Sequence, residues 1–502
     1  SIYGFNALFI TALFLRHRRF KPLVLDEATT AQSALPAGDR TSLIGGLTRE
    51  DDQPAALGDW PAVTVQLPIF NERFVVDRLI DAACALDYPA HRLTIQVLDD
   101  STDDTTALAR ARVAYHAARG KSITHIVRAD RGGFKAGALA AGLATAPGEF
   151  IAIFDADFVP PPDFLRRVIP HFREPHVGAV QARWGHLNAE YDTLTRAQAL
   201  LLDGHFVVEQ TARDRSGFFL NFNGSAGAWR RTCIDDAGGW QADTLAEDMD
   251  LSYRAQLRGW RIRYLPEVVA PAEIPLQILA HKRQQFRWAK GSIQCFRKLA
   301  WSLLTARVSP LKRLEGVLHL TAYSIHPLMV ILVLASLPVV FTGAVNRLPL
   351  GALGLAGFGA PLMFAVSQWA AYPKDWRKRF AFFFYIMLLG SGIALNNSWA
   401  IFEALTGRAN NFHRTPKFRA EGRMTASHSE VYALPMEWTT LGELFLSLYA
   451  LLAFVAALER APALAPFLAI YALSFGYHAM MGWWQSGRYS PQRIFSKNSS
   501  MP

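Results

Sequence analysis

Apolar and polar residues alternate with two different periods between residues 61 and 273. Short apolar runs have the length of buried strands, and the segments between them repeat their apolar residues at helical spacing. The strand-like runs are residues 62–67, 93–98, 122–127, 150–154 and 177–181, and the helical segments are residues 72–86, 104–118, 135–145 and 161–172. This order predicts an α/β domain whose mostly parallel sheet is covered by helices. Such sheets hold ligands at the carboxyl ends of their strands.

Longer apolar segments lie on both sides of this domain. Residues 1–15 are uncharged and precede a basic group at 16–21, as at the end of a membrane helix. Five later segments approach the roughly 20 residues that a helix needs to cross a bilayer: 315–342, 352–371, 380–404, 441–458 and 464–484. We predict a partial N-terminal transmembrane helix at 1–21, a linker at 22–60, the α/β domain at 61–273, interface helices at 274–312, transmembrane or interface helices at 313–405, a polar loop at 406–435 and C-terminal transmembrane helices at 436–502.

The charge pattern agrees with a membrane protein. The net charge is +10, and the basic residues cluster beside apolar segments, which favours a membrane surface and anionic substrates over nucleic acid. We expect an integral, multi-pass protein of a bacterial inner membrane, with the α/β domain in the cytosol. All basic groups can be cytosolic only if residues 380–404 are re-entrant or lie along the interface.

Acidic residues follow several of the predicted strands. Asp155 and Asp157 come directly after the apolar run 150–154, and alternate side chains of an extended chain point the same way. Both carboxylates can therefore face one ion, and hard oxygen ligands suit Mg²⁺ or Mn²⁺. Asp99 and Asp100 continue another strand, and Glu72 follows a third. Taken alone, Glu72 is also explained as the start of a helix.

Three further stretches carry candidate chemistry. Glu247 and Asp248 follow a glycine-rich segment, and either a helix start or a general base explains them. The stretch Gln284-Gln285-Phe286-Arg287-Trp288 fits an interfacial helix with Trp at the headgroup level. The stretch 411–417, NFHRTPK, is polar and basic between apolar segments.

The ordered set Asp99-Asp100, Asp155-x-Asp157, Glu247-Asp248 and Gln284-x-x-Arg287-Trp288 resembles the membrane-embedded glycosyltransferases of family 2. These include cellulose synthase and the cellulose-synthase-like A and C mannan and glucan synthases. The resemblance covers nearly all of residues 61–420. It implies a GT-A fold and inverting, metal-dependent transfer from a nucleotide sugar.

The resemblance also implies a role for each matching residue. Asp248, with Glu247, matches the catalytic base. Trp288 matches the tryptophan that stacks on the acceptor sugar, and the stretch NFNGSAGAWR adds Asn223 and Gly224 to the acceptor side. Asp155 and Asp157 match the metal-binding pair. Donor contacts are assigned to Glu72, Asp99, Asp100, Lys135, Asp155, Gln284 and Arg287, and a gating loop that closes over the donor to Phe412, Arg414, Thr415 and Lys417.

The expected activity is processive β-glycosyl transfer, extending a polysaccharide that passes through a channel in the membrane helices. The expected partners are a nucleotide sugar, the growing polysaccharide and membrane lipids, with no nucleic acid. Donor identity stays open between UDP-glucose and GDP-mannose. One alternative is a glycosyltransferase that acts on a diacylglycerol or ceramide lipid. Another is a non-catalytic, nucleotide-binding transporter or scaffold.

Overall fold

The computed structural model describes residues 2–17, 59–344, 350–410, 415, 417–419 and 434–488. Most of the predicted linker and most of the predicted polar loop lie outside these residues. The predicted α/β domain contains one seven-stranded sheet. Its strands are β1 (Val63–Ile69), β2 (Leu93–Asp99), β3 (Ile123–Val127), β4 (Phe150–Ile153), β5 (Val177–His186), β6 (Gly227–Arg230) and β7 (Arg261–Ala272).

The strands lie side by side in the order β3, β2, β1, β4, β6, β5, β7. All neighbours pair in parallel except at β6, which is antiparallel to both β4 and β5. The mostly parallel sheet is therefore confirmed. The carboxyl ends of β1, β2 and β4 meet at one edge, and acidic residues follow directly from these ends.

Helices cover both faces of the sheet, and their apolar sides form two buried clusters with the strands. The inward residues of β1 are almost fully buried, as expected for a central parallel strand. The helices up to the end of the α/β domain are α1 (Ile2–His17), α2 (Val76–Cys84), α3 (Thr105–Ala117), α4 (Phe134–Thr145), α5 (Phe164–Val168), α6 (Thr193–Asp203), α7 (Gln210–Arg215), α8 (Arg231–Asp236) and α9 (Glu247–Leu257).

The rest of the described chain is helical. It contains α10 (Ile278–Thr305), α11 (Pro310–Leu320), α12 (Ile325–Thr342), α13 (Leu350–Gly357), α14 (Gly359–Ala371), α15 (Trp376–Phe380), α16 (Phe383–Gly392), α17 (Ala394–Thr406), α18 (Thr439–Arg460) and α19 (Ala465–Arg488). The expected GT-A-type domain joined to a helical region is thus confirmed. The outward sides of α12 and α18 expose large apolar residues, including Leu332, Leu441 and Phe445. These sides suit contact with lipid rather than water.

Some helices of the described part of the chain meet the requirements for a membrane span. Within the described residues, Ala322–Thr342 and Thr439–Arg460 are long and apolar enough to cross a bilayer. The segment 352–371 is divided between two short helices, α13 and α14. Residues 376–406 form a pair of helices bent by 40°, which is a broken span or a re-entrant loop. That geometry agrees with the expectation that residues 380–404 are not a plain single span.

Candidate active site

A cleft of 210 Å³ opens at the carboxyl edge of the sheet. It is lined by most of the residues that the sequence singled out: Glu72, Asp100, Lys135, Asp155, Asp157, Asn223, Gly224, Glu247, Asp248, Gln284, Arg287, Trp288, Thr415 and Lys417. These residues come from separate stretches of the chain. The fold therefore gathers the acidic and basic motifs around one space.

The two aspartates after β4 each face a lysine. The Asp155 Oδ1 atom lies 2.6 Å from Lys135 Nζ, and the Asp157 Oδ2 atom lies 2.6 Å from Lys417 Nζ. Burial raises the pKa of the Asp155 carboxyl, opposed by the Lys135 ammonium and reinforced by the nearby Asp157 carboxylate. Each aspartate could therefore bind a metal cation in place of its lysine, and each lysine could bind a phosphate in place of its aspartate.

Lys135 links the two acidic motifs. It lies in the first turn of α4, after Gly133 and Phe134, both of which have positive φ angles. Its ammonium contacts Asp155, donates a 2.9 Å hydrogen bond to the Gly224 carbonyl and lies 3.8 Å from Glu247 Oε1. Lys135 thereby holds the carboxylate after β4 beside the carboxylates of α9.

Asp248 lies in the first turn of α9, where the unpaired backbone N–H groups favour a carboxylate. Its Oδ1 atom accepts a 2.8 Å hydrogen bond from the Met249 N–H. Burial, together with the neighbouring Glu247 carboxylate, raises the pKa of Asp248 to about 7. A carboxylate with this pKa is suited to accept a proton near neutral pH.

Close packing of α10 places the Gln284, Arg287 and Trp288 motif against the same cleft. Gly291 of α10 approaches the backbone before α9 so closely that a Cβ atom there would lie 2.8 Å from Ala246 N. The Gln294 Oε1 atom also accepts a 2.9 Å hydrogen bond from Leu245 N. These two contacts fix the helix that bears Arg287 relative to Asp248.

Two residues of the predicted gating loop lie at the cleft. The Arg287 guanidinium donates a 3.0 Å hydrogen bond to Thr415 Oγ1, and Lys417 contacts Asp157. Phe412 and Arg414 lie outside the described residues. The described residues of this segment therefore line the cleft.

Asp99 is the predicted donor residue that does not line the cleft. Its side chain is fully buried, accepts a 2.8 Å hydrogen bond from Ser101 N and lies 2.9 Å from His125 Nε2. These contacts shape the loop after β2 and place Asp100 at the cleft, where Arg128 binds it through two nitrogen atoms. Contact between Asp99 and a nucleotide stays a prediction, because both of its oxygens have partners inside the protein.

The cleft also contains residues that sequence reasoning missed. The Arg131 guanidinium lies 3.4 Å from the ring centre of Phe70, and both residues line the cleft. Trp184 of β5 lines it as well and donates a 3.3 Å hydrogen bond to the Ser225 carbonyl. Phe70 follows β1 and Arg131 follows β3. Because ligand sites lie after the carboxyl ends of parallel strands, these positions could have been predicted from the sequence.

The carboxylates suit a divalent ion that is shared with a substrate. Within the described residues, no group of three or more His, Cys, Asp or Glu side chains is arranged to hold an ion. Mg²⁺ and Mn²⁺ commonly take only one or two carboxylates together with substrate phosphates. Asp155 and Asp157 fit that pattern, and phosphate oxygens would complete the set of ligands.

Comparison with known proteins agrees with this arrangement. Residues 61–291 match the family model described as "Glycosyltransferase like family 2". The chain is 45% identical over 268 residues to probable glucomannan 4-beta-mannosyltransferase 7 of Oryza sativa subsp. japonica, covering 52% of this chain and 46% of that protein. It is 44% identical over 259 residues to glucomannan 4-beta-mannosyltransferase 2 of Arabidopsis thaliana, covering 51% of this chain and 48% of that protein.

The chain spans about half the length of the curated relatives it matches. Among solved structures, it is similar to the mannosyltransferase PcManGT from Pyrobaculum calidifontis in complex with GDP-Man and Mn²⁺. That similarity has a TM-score of 0.47 and 21% identity, and it covers 81% of this chain and 99% of the other.

Proposed function

We propose, from the match of residues 61–291 to the family 2 model, that the chain is a glycosyltransferase that transfers hexose from a nucleotide sugar to a growing polysaccharide. The convergence of Asp155, Asp157, Asp248, Arg287 and Trp288 on one cleft carries this proposal. A scaffold that only binds nucleotide has no use for a general base, a pair of metal-binding carboxylates and an aromatic platform in the same space. The proposal therefore includes catalysis.

Asp248 is the proposed general base. Its Oδ1 atom is held by the Met249 N–H, and its Oδ2 atom faces Gly224 across the cleft. An acceptor hydroxyl must lose its proton as it attacks the sugar, and a positioned carboxylate accepts that proton. Attack from the side opposite the leaving phosphate would give the inverting outcome. Glu247 supports this role by raising the pKa of its neighbour.

Departure of the nucleoside diphosphate builds negative charge, and the cleft supplies cations to meet it. Lys135, Arg287 and Lys417 all line the cleft. Asp155 and Asp157 would hold Mg²⁺ or Mn²⁺, which when bound neutralises charge on the diphosphate. As the donor enters, the two lysines exchange their aspartate contacts for phosphate oxygens. Fixed cations that meet developing charge are a large source of rate enhancement.

Trp288 is the proposed acceptor platform. It lies one residue after Arg287 on α10, so donor and acceptor groups are held by the same helix. An aromatic face binds the apolar side of a pyranose ring and fixes the angle of attack. Repeated rounds on the same acceptor would make the enzyme processive, and the helices after α10 would form the route through the membrane. The α/β domain would then lie in the cytosol.

The donor that we propose is GDP-mannose, with a β-1,4-linked mannan or glucomannan as product. The names of the relatives at 44–45% identity state a 4-beta-mannosyl transfer. Of the two donors that the sequence leaves open, GDP-mannose carries that sugar.

The test supplies purified chain in lipid with GDP-mannose, UDP-glucose or GDP-glucose in parallel reactions, with Mg²⁺ or Mn²⁺. We expect a polymer that β-mannanase degrades. An organic-soluble product with one or two sugars would instead identify a lipid glycosyltransferase.

The reaction should depend on the ionisation of Asp248. Because burial raises its pKa to about 7, the carboxylate becomes protonated as the pH falls below that value. A protonated carboxyl cannot accept the acceptor proton, so kcat/KM should fall about tenfold per pH unit on the acid side. The measurement is kcat/KM for GDP-mannose from about pH 5 to about pH 9. A profile that stays flat down to about pH 5 would contradict the assignment of the base.

The Gly224→Ala substitution should reduce turnover. Gly224 has φ +78°, and a Cβ atom there would lie 2.8 Å from Asp248 Oδ2 and 3.3 Å from Lys135 Nζ. The base would be displaced, and a shift of this kind costs up to about 10²-fold in kcat. Gly217→Ala is the matched control, because Gly217 has φ +69° and a Cβ atom there would meet nothing within 4 Å. Equal losses in the two variants would show that backbone strain alone is responsible.

A further inference from the structure

A second cavity, of 350 Å³, lies between the α/β domain and the helices that follow it. Its wall combines α6 and the turn before it with the end of α14 and the start of the bent pair, which includes the short basic helix α15. Phe384 and Tyr385, just beyond the cavity on α16, are 47% and 38% exposed. The bent pair is apolar enough to enter a membrane, and the cavity lies beside its basic first turn, a position that suits contact with charged lipid headgroups.

The cavity carries charges of both signs. Its cations are Arg196, Lys378 and Arg379, and its carboxylates are Glu190 and Asp375. Glu190 is shared by two guanidinium groups, at 2.9 Å from Arg196 and 3.8 Å from Arg379. Lys378 and Asp375 are exposed, and neither has a side-chain ion pair with another described residue. The three cations therefore outnumber the carboxylates that line the cavity, and the Asp375 carboxylate is available to a ligand.

Gln368 adds an unused hydrogen-bond acceptor. This side chain lines the cavity and is fully buried, and its Nε2 atom donates a 2.9 Å hydrogen bond to Asp203 Oδ2. Its Oε1 atom has no hydrogen-bond partner among the described residues. A buried carbonyl oxygen without a donor is destabilising, so a ligand that brings an N–H group would be favoured.

We propose that this cavity binds the headgroup of an ethanolamine phospholipid. The phosphate contacts Lys378 and the two guanidinium groups that share Glu190. The primary ammonium, which has three N–H donors, contacts Asp375 and the unpaired Gln368 oxygen. The acyl chains run along the exposed aromatic residues at the start of α16. The lipid thus fastens the bent pair to α6 of the α/β domain.

Other ligands use only part of this wall. A free phosphate would contact the cations but would leave Asp375 and Gln368 without a donor. A choline headgroup has the same charges, yet its quaternary nitrogen has no N–H to donate. A metal cation would be repelled by the three basic side chains. The wall offers cations for a phosphate and hydrogen-bond acceptors for an ammonium group, and this combination favours ethanolamine.

The test measures lipid binding and does not depend on transferase activity. Detergent-purified chain is titrated with dioctanoyl phosphatidylethanolamine, the matching phosphatidylcholine or inorganic phosphate, and binding is followed by the thermal unfolding midpoint. We expect the ethanolamine lipid to bind about tenfold more tightly than the choline lipid, as one charged hydrogen bond implies. Equal affinity for the two lipids would overturn the proposal. So would inorganic phosphate that saturates the site as tightly as the lipid.

Paired variants separate the two halves of the site. Asp375→Asn should weaken ethanolamine lipid alone and bring it close to choline lipid, whereas Lys378→Ala should weaken both lipids. Lys374→Ala is the control, because Lys374 is exposed on the same segment but does not line the cavity. A loss in the control equal to that in Lys378→Ala would reduce the effect to general surface charge and overturn the proposal.

Discussion

The Asp248→Asn variant should lose about 10² to 10⁴-fold in kcat while retaining its affinity for GDP-mannose. The amide has the shape of the carboxylate, and its oxygen can still accept the Met249 N–H that holds Asp248 Oδ1 at 2.8 Å. It cannot accept the proton of the acceptor hydroxyl. The side chain does not belong to the lysine-aspartate pairs that face the donor phosphates. The effect should therefore fall on kcat rather than on donor binding.

The measurement is nucleotide release together with equilibrium binding of the donor. Asp235→Asn is the matched control, because the Asp235 side chain is 59% exposed on α8 and, among the described residues, its carboxylate has one ion pair, at 4.0 Å from Arg231. Its turnover should equal that of the unmodified chain. Undiminished turnover in Asp248→Asn would remove Asp248 from the reaction and would leave Glu247 as the next base to test.

The Asp157→Asn variant should lose about 10²-fold in kcat/KM and need more Mn²⁺ for half-maximal activity. Asp157 lies 2.6 Å from Lys417, so the substitution removes both a carboxylate for the ion and the ion pair that holds Lys417 at the cleft. An amide is a weaker ligand for a hard cation than a carboxylate. Both effects reduce stabilisation of the departing diphosphate.

The appropriate readout is GDP release as a function of Mn²⁺ concentration. Asp163→Asn serves as the control. Asp163 lies six residues after Asp157, its side chain is 57% exposed, and its ion pair with Arg167 is long, at 3.7 Å. It should leave the Mn²⁺ dependence unchanged. If Asp157→Asn kept the Mn²⁺ dependence of the unmodified chain, the ion would have to be held elsewhere or be absent from the reaction.

Much of the α/β domain could be predicted because strand periodicity and buried length are local properties of the sequence. All five predicted strands are present, as is the helical character of the segments between them. Strands β6 and β7 were missed for physical reasons. Four residues are too few for β6 to show a period, and Pro266 and Pro271 argue against a strand at β7. These prolines are tolerated because β7 is an edge strand.

The sequence could predict which acidic residues meet at the cleft, but it could not predict the contacts that they make there. Acidic residues after parallel strands must meet at one edge, which is why Asp155 and Asp100 were found by pattern. The pairing of Lys417 with Asp157 joins residues 260 positions apart, and no local pattern specifies it. The internal role of Asp99 likewise depends on His125, which comes from the neighbouring strand.

The membrane region was the least predictable part. Hydropathy reports that a segment is apolar, but it does not show whether one helix continues through it. The segment 352–371 is interrupted near Phe358, and residues 376–406 are bent, so neither forms one straight helix. Breaks of this kind depend on packing against neighbouring helices, which sequence periodicity does not contain.

The most direct test of the central claim counts both products of one reaction. Purified chain in lipid is incubated with GDP-mannose and Mn²⁺, and GDP released is compared with β-1,4-mannosyl bonds formed. We predict equal amounts, with both disappearing when the divalent ion is chelated. GDP release without new mannosyl bonds, or no release from any nucleotide sugar supplied, would contradict the assignment of this cleft to glycosyl transfer.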